Sequence, residues 1–175
     1  QAGFNVKTGI NGSIFMGHDV GLLDDGGNQN IAIGAGTVLS ANTGGNQLIA
    51  IGKDVMRLAT GMSGDIAIGT DAMEEAHDTL HNIAIGNLAA QYLGKGSSDS
   101  DYNVAIGYKC LQDNADGQQN VSIGKQSMMN LQSGSHNIGI GGNTLNGQMS
   151  GHADFDGNVA IGPNAFANFK RGSSN

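Results

Sequence analysis

Among its 175 residues the chain has no tryptophan, one proline and one cysteine. A single Cys110 cannot close an intrachain disulfide, so cross-links do not hold this fold, and its side chain is read as packing material. Aromatic residues make up only 5% of the sequence, leaving Ile, Val, Leu, Met and Ala to fill any interior. Thin stacked layers suit that supply better than a deep globular core. Basic residues are also scarce: eight Lys and Arg against 15 Asp and Glu give a formal charge of -7. That sign repels phosphate backbones and argues against nucleic acid as a partner. No apolar run approaches the roughly 18 residues of a spanning helix, so no membrane insertion is expected. The first residues, Gln1-Ala2-Gly3-Phe4, lack the basic head and apolar stretch of a signal peptide. Also missing are H-E-x-x-H, a P-loop, a nucleophile elbow and a paired-cysteine motif. No catalytic residue is assigned, and the chain is not expected to be an enzyme. Glu74 and Glu75 are adjacent and are expected to face water.

What is abundant is glycine, with 30 residues, and much of it is periodic. Asn30-Ile31-Ala32-Ile33-Gly34 returns as 82–86, 103–107, 120–124, 137–141 and 158–162, with close copies ending at Gly52 and Gly69 and a degenerate one at Ser13–Gly17. The motif glycines are Gly17, Gly34, Gly52, Gly69, Gly86, Gly107, Gly124, Gly141 and Gly162, so their successive separations are 17, 18, 17, 17, 21, 17, 17 and 21. Such a period signals a solenoid, in which each repeat buries its apolar face only by stacking on its neighbours. The expected architecture is all-β, a parallel β-roll of about nine coils. Residues 1–12 are an N-terminal cap or connection, 13–166 the repeats and 167–175 a C-terminal tail.

Within each motif two branched residues flank a small one, which is strand alternation. The branched set is expected to form the roll core: Ile31, Ile33, Ile49, Ile51, Ile66, Ile68, Ile83, Ile85, Val104, Ile106, Val121, Ile123, Ile138, Ile140, Val159 and Ile161. The opposite column is Ala32, Ala50, Ala67, Ala84, Ala105, Ser122, Gly139 and Ala160. Small residues there let backbones approach closely, so this column is expected to be the interface of a homotrimer. Four residues after most motif glycines stands another apolar residue (Val38, Met56, Met73, Leu111, Met128, Leu145, Phe166), expected to form a second strand or extended turn. Gly26-Gly27, Gly44-Gly45 and Gly117 are expected at corners of positive φ. The Asn column suggests stacked amides at a bend. The five Phe residues lie toward the ends, as cap material.

The recurring N-[IV]-A-I-G motif, with a small and then an apolar residue after it, resembles the head repeat of YadA-type trimeric autotransporter adhesins, a repeat shared with bacteriophage tail fibres. The resemblance spans about positions 13 to 166. It implies a left-handed roll, three chains per rod and attachment to a cell surface. The coils are longer than those usual in the adhesin heads, which favours the fibre. The expected function is a non-catalytic receptor-binding segment of a virion tail fibre, with a cell-surface polysaccharide or protein as receptor. The alternative is a bacterial adhesin head at the cell surface. Hexapeptide-type acyltransferases, in which three hexapeptides make a coil of nearly this length, are a further alternative, although apolar residues here do not recur every six positions.

The two longest intervals, Gly86 to Gly107 and Gly141 to Gly162, carry insertions, and insertions in solenoids form surface loops that often bind. Candidate receptor-binding residues are Tyr92, Lys95, Asp99, Asp101, Tyr102, His152, Asp154, Phe155 and Asp156: rings to stack on sugars, and polar groups to bond their hydroxyls. Asp99-x-Asp101 and Asp154-x-Asp156 offer alternate carboxylates for a structural cation, but without a full calcium-loop pattern no metal ligand or cofactor is assigned. His81 and His136 share one column with Tyr102 and are expected to be a polar corner.

Overall fold

Each copy of the motif forms one short strand: β1 (Ile14–His18), β2 (Ile31–Ala35), β3 (Ile49–Lys53), β4 (Ile66–Ile68), β5 (Ile83–Ile85), β6 (Val104–Ile106), β7 (Val121–Ile123), β8 (Ile138–Ile140) and β9 (Val159–Ile161). The computed structural model describes residues 12–20, 27–36, 45–96, 100–147 and 155–167. Among these there is no helix. The nine strands form one parallel sheet in sequence order, a β-solenoid of about seven turns. Register is set by the motif. Ala50 pairs Ala67, then Ala84, Ala105, Ser122, Gly139 and Ala160 in unbroken line.

The two faces of the sheet are the reverse of those expected from the sequence. Ala32, Ala50, Ala67, Ala84 and Ser122 are fully buried inside the single chain, whereas the flanking branched residues are half-buried or exposed. The small column therefore lines the interior of the roll, and the Ile and Val ladder faces outward. Room is the reason. At Gly139 an added Cβ would already lie 3.0 Å from both Met128 Cε and Ser127 Oγ. The volume opposite the strand is taken by Met56, Met73, Leu111, Met128 and Leu145, all fully buried. Each such side chain removed from water contributes about 1.5–3 kcal/mol. Leu48, Leu93 and Leu131 extend this core toward the corners.

Of the second strand or extended turn expected there, the described residues show turns, and these supply the core Met and Leu; Val38 lies outside the described residues. Met56, Met73, Leu111, Met128, Leu145 and Phe166 all have φ between 48° and 54°. In all, 22 described non-glycine residues have positive φ, a conformation that costs an L-residue about 1–2 kcal/mol. Hydrogen bonds between coils offset it. Met73 N donates to Ala89 O (3.0 Å) and Leu111 N to Ser127 O (3.0 Å) in the next coil, while Asp71 N and Lys109 N reach back to Lys53 O and Asn87 O, each at 3.0 Å. The turns are thus paired along the shaft much as strands are.

Two glycine sites, one in the motif and one in a return, have no room for a side chain. Gly107 has φ +137°, and a Cβ on it would lie 2.5 Å from Gly124 O of the next coil. Gly117 was expected to need positive φ; its constraint is close approach, since a Cβ would come 2.3 Å from Gly134 O. Gly27 is alike, 1.9 Å from Gly45 O, whereas Gly26 and Gly44 lie outside the described residues.

A mostly buried amide ladder closes the corners before β5 to β9. Asn103 N donates to Asn82 Oδ1 (2.7 Å), Asn120 N to Asn103 Oδ1 (2.9 Å), Asn137 N to Asn120 Oδ1 (3.0 Å) and Asn158 N to Asn137 Oδ1 (2.9 Å). The side-chain NH2 of Asn120 also donates to Asn103 Oδ1 (3.1 Å) and Gly134 O (2.8 Å). Asp65 interrupts this series. Its Oδ1 accepts from Asn82 N and Nδ2 (2.7 and 3.0 Å) and its Oδ2 from Thr79 Oγ1 (3.4 Å), but burial pushes its pKa up to about 7 against those bonds. Cys110 is buried with Sγ 2.9 Å from both the carbonyl and hydroxyl oxygens of Ser122, and burial raises the thiol to about 11.

Glu74 does not face water. It is buried, paired with Arg57, and accepts from Gln91 Nε2 (2.8 Å), whose own Oε1 accepts from Gln112 Nε2 (2.7 Å). Of the Phe residues, Phe15 packs against the core near one end, and Phe155 stacks on Phe166 with centroids 5.9 Å apart near the other; Phe4 and Phe169 lie outside the described residues.

Candidate functional site

The turns that follow β5, β6 and β7 bring three columns of side chains to one outer edge of the roll. Six residues after the motif glycine stand Tyr92 and Asp113; eight after it, Ala115 and Gln132; nine after it, Lys95, Asp116 and Ser133. These seven residues line a groove of about 460 Å³. Because coils stack at about 4.8 Å, a groove crossing three of them runs about 10 Å along the shaft.

Its floor is held by the backbone. Tyr92 N donates to Gln112 O (3.0 Å), Asp113 N to Met129 O (3.1 Å), and Ala115 N and Asp116 N both to Gln132 O (2.9 and 3.1 Å). Buried Asn114 fixes the bend beneath, accepting from Gly117 N (3.0 Å) and donating to Leu131 O (3.2 Å). Such a floor is pre-organised, so a ligand orders little on binding.

Lys95 Nζ lies 4.5 Å from the Tyr92 ring centroid and is paired with Glu75. Its charge is thus compensated within the chain. Burial raises the pKa of Asp113, a shift that Lys109 opposes. The lining is therefore rich in acceptors, flanked by aromatic and aliphatic carbon. Among the described residues no group of three His, Cys, Asp or Glu is arranged to hold a metal ion.

The candidate residues read from the sequence separate into several places. Tyr92 and Lys95 lie in the groove. Asp101 and Asp156 instead cap backbone, their Oδ1 atoms accepting from Leu80 N (2.8 Å) and Ser135 N (2.6 Å). Tyr102, 54% exposed, lies on another corner, its ring stacked on His81 at 5.3 Å and 4°. Phe155 belongs to the end stack with Phe166. Asp99, His152 and Asp154 lie outside the described residues. Asp113, Ala115, Asp116, Gln132 and Ser133 escaped the sequence reading because they sit in coils of ordinary length; the signal that could have found them is the column they share with Tyr92 and Lys95.

The strand face is a second surface. Ile and Val flank the small residue in every strand from β2 to β9, with Ile14 and Met16 on β1; these two columns hold no polar side chain, and His18 and Lys53 lie beside them at the ends of β1 and β3. Exposure reaches 65% at Val159 and 68% at Ile161. At one strand per 4.8 Å this aliphatic strip is about 40 Å long and about 10 Å wide, near the largest patch that soluble monomers usually leave open.

Compared with family models, with curated proteins and with solved structures, the chain matched none.

Proposed function

We propose that this chain is a receptor-binding segment of a homotrimeric fibre, working without catalysis. The observation that carries the reading is the uninterrupted outward Ile and Val ladder. It is flat, aliphatic and the length of the shaft, so the surface that fits it best is the same ladder on another copy. Three copies around an axis parallel to the shaft close the contact and leave no copy of the strip in water. The trimer contact is thus the branched column rather than the small one. Left-handed winding and the bacteriophage tail-fibre setting rest on the motif's resemblance to the YadA-type repeat and on the length of the coils. In that setting the receptor is a bacterial surface polysaccharide or protein.

Many weak contacts presented by three chains along a rod supply strength by avidity. Light scattering tests the assembly: a mass three times that of one chain is expected, and Ile68→Lys with Ile106→Lys is expected to yield monomer or aggregate. A stable wild-type monomer refutes the trimer. Attachment of the intact segment to whole bacterial cells tests the role, and absence of attachment across a panel of hosts counts against it.

A further inference from the structure

We infer that the Tyr92–Asp113–Gln132 groove is a saccharide subsite that takes a neutral, hydroxyl-rich sugar. This rests on the receptor-binding reading and gives its chemical class.

Three features select that class. First, a ring that offers hydroxyls at its rim and C–H groups on its faces needs acceptors beside flat carbon. Asp113 and Asp116 supply acceptors; Gln132 and Ser133 can accept or donate; the Tyr92 ring and Ala115 supply carbon. Second, the charge is wrong for an anion. Two carboxylates line the groove against one ammonium, and Glu75 already pairs that Lys95. A uronate or a phosphorylated sugar entering here meets two carboxylates of its own sign. Third, the volume of about 460 Å³ lies within the range of ligand clefts and above that of an ion site.

Position supports the same conclusion. None of the seven lining residues lies in a strand, so the groove stays open when the strand faces meet in a trimer. Among the described residues, the coils before the groove do not repeat its set of side chains. Where the middle of the groove has Tyr92 and Asp113, the preceding coils carry Leu58 and Glu75; where it has Lys95 and Asp116, they carry Gly61 and Asp78. In a trimer the three copies of this groove stand around the fibre at a single height.

The test is a glycan array of neutral, amino and acidic oligosaccharides probed with the full chain, followed by titration of the best neutral member. Binding confined to neutral glycans is expected. Tyr92→Ala should weaken it about tenfold through loss of stacking, and Asp113→Asn by a similar factor through loss of a charged acceptor. Gln132→Arg, at an exposed position whose side chain fills the groove from outside, should abolish it without burdening the fold. Leu58→Ala, exposed in the same column two coils before Tyr92 and outside the groove, should leave it unchanged. Preference for acidic or for amino sugars overturns the assignment, as does unchanged affinity in Tyr92→Ala and Gln132→Arg proteins of wild-type mass and melting temperature. Cell attachment separates the two levels. Variants that still attach refute the groove and leave the receptor-binding role standing, whereas a wild-type chain that binds neither cells nor glycans refutes both.

Discussion

Replacing Asp65 by asparagine should stabilise the protein at neutral pH and leave it almost unchanged in acid. Asp65 stands where six other coils have Asn, and it is buried against Asn82 and Thr79. Its pKa is about 7 in the folded chain against 3.8 for a free side chain. A raised carboxyl pKa means that the folded state holds a proton the unfolded state has released. Stability from this group is therefore complete below about pH 4, falls as pH rises toward 7, and stays low above it. Three pH units at 1.36 kcal/mol each make the loss about 4 kcal/mol per chain. For a chain of this size that corresponds to a melting shift of about 10 °C. In the Asp65→Asn variant the amide keeps an oxygen for Asn82 and offers its NH2 to the Thr79 hydroxyl, without a charge. Melting of wild type and Asp65→Asn at pH 4, 6 and 8 should show a gap that opens from near zero to about 10 °C. Asp71 and Asp113, which burial also raises, act alike in both proteins and cancel in the difference. A gap independent of pH, or a variant less stable at pH 8, refutes the reasoning.

Other substitutions probe the stacking itself. Gly107→Ala places a Cβ against Gly124 O in a strained backbone and should cost more than about 2 kcal/mol, read by urea unfolding. Asn120→Ala leaves Asn137 N and Gly134 O without their buried partners and should cost about 2–5 kcal/mol; the same change at the half-exposed Asn158 should cost less. Ala84→Leu forces a branched side chain into an interior already full, and should destabilise by about 1–3 kcal/mol or more; if the small column faced outward, the change would be nearly neutral in a monomeric variant. Cys110, buried and raised to about 11, should resist thiol reagents at pH 8 until the chain is denatured; rapid labelling of the folded protein would contradict its place in the core.

Much of the architecture was legible in the repeat. Copies at a near-constant spacing fall on one another only if each contributes one strand, and the structure pairs them residue for residue, Ile66 with Ile83 and Ile83 with Val104. The amide ladder was legible for the same reason, because Asn recurs at one place beside a bend. The groove was only half legible. Tyr92 and Lys95 drew notice beside an insertion, while Asp113 and Gln132, one and two coils further along the chain, joined them only through stacking. Glu74 misled as a pair of adjacent acids, because its partners Arg57 and Gln91 each lie 17 residues away.

By itself, then, the amino-acid sequence determined the period, the parallel pairing and its register, since identical residues at a fixed interval can be superposed in only one way. It could not determine which side of each strand is inside. Alternation labels two faces without saying which one the chain closes over, and hydrophobicity favoured the wrong one. Tertiary structure decided that through volume: the returning turn brings Met56, Met73, Leu111, Met128 and Leu145 into the interior, and opposite them the strands β3 to β8 carry nothing larger than Ala or Ser.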